Sequence, residues 1–356
     1  MRKILTIVCI AVSFITKAQI STLYIGSYTN GKSEGIYTYQ FDSATGSLKK
    51  KQLVAISNNP SYLVTNSNKE TVYAVTESNN YNNTNSGAIA SYKVKEDGSL
   101  EKTAEMSSFG KNPCHISLNE KENKLVVSNY SEGTFSVFSL NKDGALDTVQ
   151  QVENLHKERA KAHTHSAQFY KDELFVADLG IDTFAHYTFK DSSYVSTKNI
   201  SMEAKSGPRH FAMTENRNYI YVINEYGSTI STLKKEDNSY IKAEDNSTLR
   251  ADYKGRNSCA DIHISKDEKF VYASNRGENS IAVFKRNKKD GSIKKVQSIS
   301  CHGNWPRNFV LDPKGNFLLV ANKKSNNISV FLVDKKYGEL TFIYEIEAAN
   351  PTCLKF

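Results

Sequence analysis

Short runs that alternate apolar and polar positions recur along the whole chain, and they predict strands rather than helices. In Ser206–Tyr226, SGPRHFAMTENRNYIYVINEY, two such runs rich in β-branched and aromatic residues flank a polar turn. Pro208–Met213 and Tyr219–Asn224 are predicted to form a hairpin around Thr214–Asn218. Antiparallel pairing then brings Arg209 and His210, early in the first strand, to the same rim as Glu225, just past the end of the second. No long stretch keeps a 3.6-residue period, so an α/β fold is excluded.

The hairpin is one unit of a repeat with a period of about 45–53 residues. First strands are predicted to begin at Pro60, Pro113, His163, Pro208, Cys259, Pro306 and Pro351. Second strands end at Ser27-Tyr28, Thr76-Glu77, Asn129-Tyr130, Asp178-Leu179, Asn224-Glu225, Asn275-Arg276 and Asn322-Lys323. Third strands follow in IYTYQF, AIASYKV, FSVFSL, FAHYTF, IAVFKR and ISVFLV. Turns at Gly46, Gly98, Gly144, Gly291 and Gly338 then lead to polar outer strands. Four antiparallel strands per unit, repeated radially, predict an all-β, seven-bladed β-propeller. Pro351–Phe356 is a lone first strand, and residues 20–58 lack one, so the two termini are expected to close the ring in a shared blade.

First strands line the channel of a propeller. Two residues after each start lie Tyr62, His115, His165, His210, Asp261, Asn308 and Cys353, and one step further lie mostly apolar residues. Period-2 alternation turns the first set into the channel and the second into packing between blades. Glu225, Arg276 and Lys323, at second-strand ends, are expected near one mouth of that channel.

Composition adds the cellular setting. Arg2 and Lys3, the apolar run Ile4–Thr16 and the small Ala18 make residues 1–18 a secretory signal peptide, leaving one domain over residues 19–356 that is exported, periplasmic or secreted. No later stretch is apolar enough to span a membrane as a helix. Removing Arg2, Lys3 and Lys17, with no acid in that segment, takes the formal charge from +8 to +5. Acids are interspersed with the remaining bases, so no nucleic-acid partner is expected, while the mild excess suits an anionic small substrate. Cys114, Cys259, Cys301 and Cys353 are too few for a disulfide framework and are expected unpaired and buried in a monomeric protein.

Several stretches resemble the seven-bladed propeller lactonases, which include one type of 6-phosphogluconolactonase and the carboxymuconate-cyclising enzymes. They are YIGSYTNGKSEGIYTY, HTHSAQF, DLGIDTFAHY, GPRHFAM, VINE, DIHISKDEKFVYASNRGENSIAVF and PRNFVLDPKGNFLLVAN, spread over nearly the whole mature chain. The resemblance implies hydrolysis or formation of a lactone ring without metal or other cofactor, with active-site positions on His165, Arg209, Glu225 and Arg276. Ala162 stands where the family usually has a proline before the HxH motif.

Each candidate carries a plainer alternative. His165 suits acid/base work because imidazole titrates near neutrality, but it could be a hydrogen-bonded channel residue. The His163/His165 pair has a metal-like spacing, yet no third ligand set is evident, so no metal is expected. Glu225, set between arginines, either takes a proton from water or only orients them. Arg209, Arg276 and Arg307 are suited to clamp a carboxylate or phosphate and to stabilise an oxyanion, or else they bridge blades. His210, Asp261 and His263 are expected either to contact substrate or to satisfy one another. The sequence thus predicts a metal-independent sugar-acid lactonase; the competing reading is a non-catalytic, exported binding propeller.

Overall fold

In the computed structural model, residues 20–156, 161–237 and 239–356 are described; the expected signal peptide lies outside them. They form seven sheets of four antiparallel strands arranged as blades. First strands are Leu63–Thr65, Pro113–Leu118, Thr164–Tyr170, Pro208–Met213, Ser258–Ile264, Pro306–Leu311 and Pro351–Lys355. Six lie within two residues of their predicted starts. The exception is the strand expected at Pro60. There Asn59 takes φ 44° and Ser61 N bonds back to Asn59 O, so residues 60–62 reach the channel before the ladder begins at Leu63. The termini close the ring as expected: Ile25 pairs with Leu354 and Gly26 with Cys353.

Recurrent polar residues do specific work in each blade. Asn129, Asn224 and Asn322 end second strands, are fully buried, and donate to Ser136, Ser231 and Ser329 on the adjoining third strands. Asn129 and Asn322 also reach carbonyls just before the first strand, Ser108 O and Cys301 O. The buried amide nitrogens, by donating in this way, tie the strand ends together where the channel residues depart.

The glycine turns are equally constrained. Gly291 and Gly338 both take φ 76°, and a Cβ there would meet the Tyr219 ring at 2.1 Å or the Phe270 ring at 2.3 Å in the preceding blade. The neighbouring tyrosines complete the joint, with Tyr221 donating to Gly291 O at 2.7 Å and Tyr272 to Gly338 O at 3.0 Å. Only glycine fits both the backbone and the space. Two blades turn without it, through Asp191 and Ser192 (φ 49° and 70°) and through Asp237 (φ 51°), residue types that tolerate this region better than branched ones.

Apolar faces pack between neighbouring blades. Phe175, Phe184, Phe211, Ile220 and Leu233 form one such layer, and Phe270, Tyr272, Phe309, Val320 and Phe331 another. Truncating a fully buried ring such as Phe309 to alanine is expected to cost about 3–5 kcal/mol. The four cysteines among the described residues are buried and free. Among the described residues no helix is long and apolar enough to cross a membrane.

Candidate active site

A bulge between Pro208 and His210 decides what enters the channel. It leaves Arg209 outside the ladder, so Arg209 and His210 both project inward where strict alternation would send only one. The apolar partners behave as predicted: Ile116, Phe211, Ile262 and Phe309 pack between blades. Ser166 also turns from the channel and donates to Arg209 O at 2.8 Å.

At the mouth formed by first-strand starts and second-strand ends, Glu225 sits between two buried arginines. Arg276 Nη2 lies 2.7 Å from Glu225 Oε2, and Arg209 Nε lies 3.0 Å from the same oxygen. The Arg209 N–H is not aimed at it, so that contact is an ion pair without a directed hydrogen bond. Arg209 Nη1 donates instead to Ala260 O, and Arg276 is fixed by Ser258 O and Cys259 O at 3.2 and 2.8 Å. Glu225 Oε1 has no partner among the described residues. Burial, with Arg276 nearby, lowers the Arg209 pKa to about 10, which still leaves it charged at neutral pH.

A second carboxylate faces this one. Glu77 ends its second strand as Glu225 does, and it accepts from Tyr28 OH at 2.7 Å and from Ser61 Oγ. Arg307 Nη2 is 3.8 Å from Glu77 Oε2, and the Tyr28 ring lies 5.4 Å from the Arg307 guanidinium and 4.4 Å from Lys323 Nζ. Arg307 donates no hydrogen bond among the described residues. Trp305, the sole tryptophan, lies against Arg276 at 5.2 Å. Glu77, Tyr28, Ser61 and Trp305 were absent from the predicted site. Glu77 and Tyr28 were visible in the repeat register as second-strand ends, and Ser61 follows the predicted start at Pro60, but Trp305 precedes its strand in a loop that no periodicity places.

The ring deeper in the channel is continuous. His165 and His210 have ring centroids 5.1 Å apart, His210 and His115 5.4 Å, and His115 and Tyr62 4.4 Å. Burial, reinforced by Arg209 and His210, holds His165 well below the usual imidazole range, so it is neutral at pH 7. His210 falls to about 4 through burial and Arg209, despite donating to Asp261 Oδ1 at 2.8 Å. Burial alone would raise Asp261, but His263 and His210 outweigh it and hold the carboxyl well below the usual range. His163 turns elsewhere, with Nδ1 3.0 Å from Tyr130 O and its ring stacked on Tyr130. Among the described residues no group of three or more His, Cys, Asp or Glu is placed to hold a metal.

The site expected to contain His263 is divided by the structure. His263 reaches back to Asp261 Oδ2 at 3.1 Å but lies toward the opposite mouth, since its first strand runs away from the arginines. That end has the larger cavity, about 530 Å³, whereas the crevice beside Arg209, Arg307 and Ser61 measures about 10 Å³, room for one water. Among the described residues, the narrow end carries the guanidinium groups around a carboxylate with an open oxygen.

Fold and site together define a β-propeller lactonase: the pattern of the family described as "Lactonase, 7-bladed beta-propeller" matches residues 22–356, and the chain belongs to that family. A Bacillus subtilis protein named 6-phosphogluconolactonase is 32% identical over 344 residues, covering 94% of this chain and 97% of that one. The solved Pseudomonas aeruginosa periplasmic gluconolactonase superposes with TM-score 0.86 at 28% identity, covering 95% of this chain and 99% of its own. A Lactobacillus plantarum structure aligns with TM-score 0.88, also at 28% identity and with the same coverage.

Proposed function

We propose that this protein hydrolyses a sugar-acid lactone to the open hydroxy acid, by attack of water at the arginine mouth. The observation that carries the reading is the Glu225 carboxylate, bound through one oxygen by Arg209 and Arg276 and open at the other. The open oxygen takes a proton as water attacks the lactone carbonyl carbon. Arg276 and Arg209 stabilise the oxyanion that forms. The tetrahedral intermediate collapses by breaking the bond to the ring oxygen, which recovers the proton from Glu225. The carboxylic acid product then ionises. His165, held neutral, contributes a ring nitrogen to substrate binding rather than a proton. No step is assigned to a metal.

The unspent donors of Arg307 and the adjacent Lys323 favour a substrate with a remote anionic group. Among the described residues, Arg209, Arg276, Arg307 and Lys323 outnumber the acids Glu77 and Glu225 beside them, which supports the same preference. Residues 1–18 support export, which brings the protein, as a monomer, to lactones outside the cytoplasm. Initial rates on δ-gluconolactone and 6-phosphogluconolactone, each corrected for spontaneous opening, test the proposal. Catalysis of at least one is expected. No rate above background across a broad lactone panel would return the protein to the binding-propeller reading.

A further inference from the structure

The far end of the channel holds a cavity of about 530 Å³ that the proposed reaction does not use. This lies in the ordinary size range of small-molecule sites, about 300–1,000 Å³. Tyr62, His115, Gln168, His263 and Lys355 line it. Gln168 is bonded to Phe211 O and to the Tyr170 hydroxyl, and His263 to Asp261, but three other polar groups are unpaired among the described residues. His115 is only 3% exposed, yet neither ring nitrogen has a hydrogen-bond partner among the described residues, and Nδ1 is fully buried. The Tyr62 hydroxyl and the Lys355 ammonium likewise have no hydrogen-bond or ion-pair partner among those residues. Buried polar groups in native proteins are normally satisfied, so unpaired ones converging on a cavity point to an occupant.

Charge indicates what kind. Asp261 is already saturated by His210, His263, Asn308 and the backbone amides of Ile262 and Phe309. Glu122 at the rim is bound by the Ser67 amide and hydroxyl. With Glu120 and Lys355 included, the lining holds three carboxylates against one ammonium, a formal charge of -2 with the histidines counted as neutral. Unlike the arginine mouth, this end does not favour an anion. It offers mixed donors and acceptors beside aromatic and imidazole rings, which matches hydroxyl groups on a compact carbon frame.

We propose that this cavity is a second binding site, separate from the lactone site, for a neutral polyhydroxylated ligand of monosaccharide size. Its hydroxyls bond His115, Tyr62 and Lys355. The probes are D-glucose, D-galactose and D-mannose, titrated into the full mature chain by calorimetry and saturation-transfer NMR. At least one is expected to bind, with affinity unchanged in Arg276→Ala and reduced tenfold or more in Tyr62→Phe and in Lys355→Met. Lys355→Met, near the end of the chain, is the variant least exposed to a folding defect, and its lactone turnover should equal wild type. The proposal is overturned if none of the three sugars binds. It is also overturned if binding disappears in Arg276→Ala, or persists undiminished in both Tyr62→Phe and Lys355→Met. Failure of the lactonase reading would leave this sugar binding in place, so the two results remain distinguishable.

Discussion

At one end of the channel, Arg209 and Arg276 flank Glu225 and Arg307 approaches Glu77, and the crevice beside Arg209, Arg307 and Ser61 has room for about one water. At the other, His115, His263 and Tyr62 surround a cavity some fifty times larger (about 530 against 10 Å³) with no arginine in its lining. Both ends are built from the same strands. The difference teaches that depth of cavity and concentration of charge answer separate requirements. A tight charged rim prepares a carbonyl for attack, because donors fixed in a dry crevice need not reorganise as charge develops. A roomy funnel without arginine can hold a molecule but has little with which to stabilise an oxyanion.

The largest expected effect comes from a segment that contributes to both ends. Pro351–Lys355 carries Thr352 beside the arginine crevice and Lys355 at the wide cavity, and it closes the ring by pairing with Tyr24–Ser27. Deleting Pro351–Phe356 should expose strand edges and cause aggregation or a large loss of stability. A truncated protein that melts within a degree or two of the full chain would contradict ring closure as a source of stability.

Next in size are losses confined to the arginine end. Glu225→Gln should lower kcat by roughly 10²–10⁴ with the fold retained. Arg276→Ala should remove about 2–4 kcal/mol of transition-state stabilisation, and Arg276→Lys should not restore it, because ammonium lacks the planar fork. Wild-type rates in all three folded variants would move the chemistry elsewhere, with the wide cavity the next place to look.

The ring of histidines between the mouths sets a pH dependence. His115, His165 and His210 all have folded pKa values depressed below the usual imidazole value, chiefly by burial. The unfolded chain therefore binds more protons below about pH 6.5. Their contribution to stability is complete above that pH and is lost as pH falls toward about 4, where folded His210 titrates. Each depressed unit is worth about 1.4 kcal/mol. Melting temperature should drop from pH 7 to pH 4, and less steeply in His165→Gln; equal slopes would show that His165 is not held neutral.

The smallest effect separates substrates rather than mouths. Arg307→Ala should raise KM for an anionic lactone about tenfold while leaving KM for neutral δ-gluconolactone nearly unchanged. Equal changes for both would make Arg307 a structural partner of Glu77 instead of an anion receptor.

The repeat, the strand order, the closing pair and the channel ring were all legible in the chain, because strand periodicity and turn residues are local signals that recur with each blade. Arg209, Glu225 and Arg276 were legible for the same reason: they occupy fixed register positions at blade ends. Glu77 holds the same position as Glu225 but has no arginine adjacent in its own hairpin, and its partners Tyr28 and Arg307 come from other blades. Tyr28 lies 49 residues away in sequence and belongs to the closing blade. His263 carried the right residue type on the right face, yet two residues of strand rise moved it toward the other mouth. The local pattern determined which side chains enter the channel. Only closure of the ring decided which meet there, because the repeat gives each side chain its level in its own blade but not its distance from side chains of other blades, and because the Pro208/His210 bulge breaks the alternation that would have kept Arg209 out.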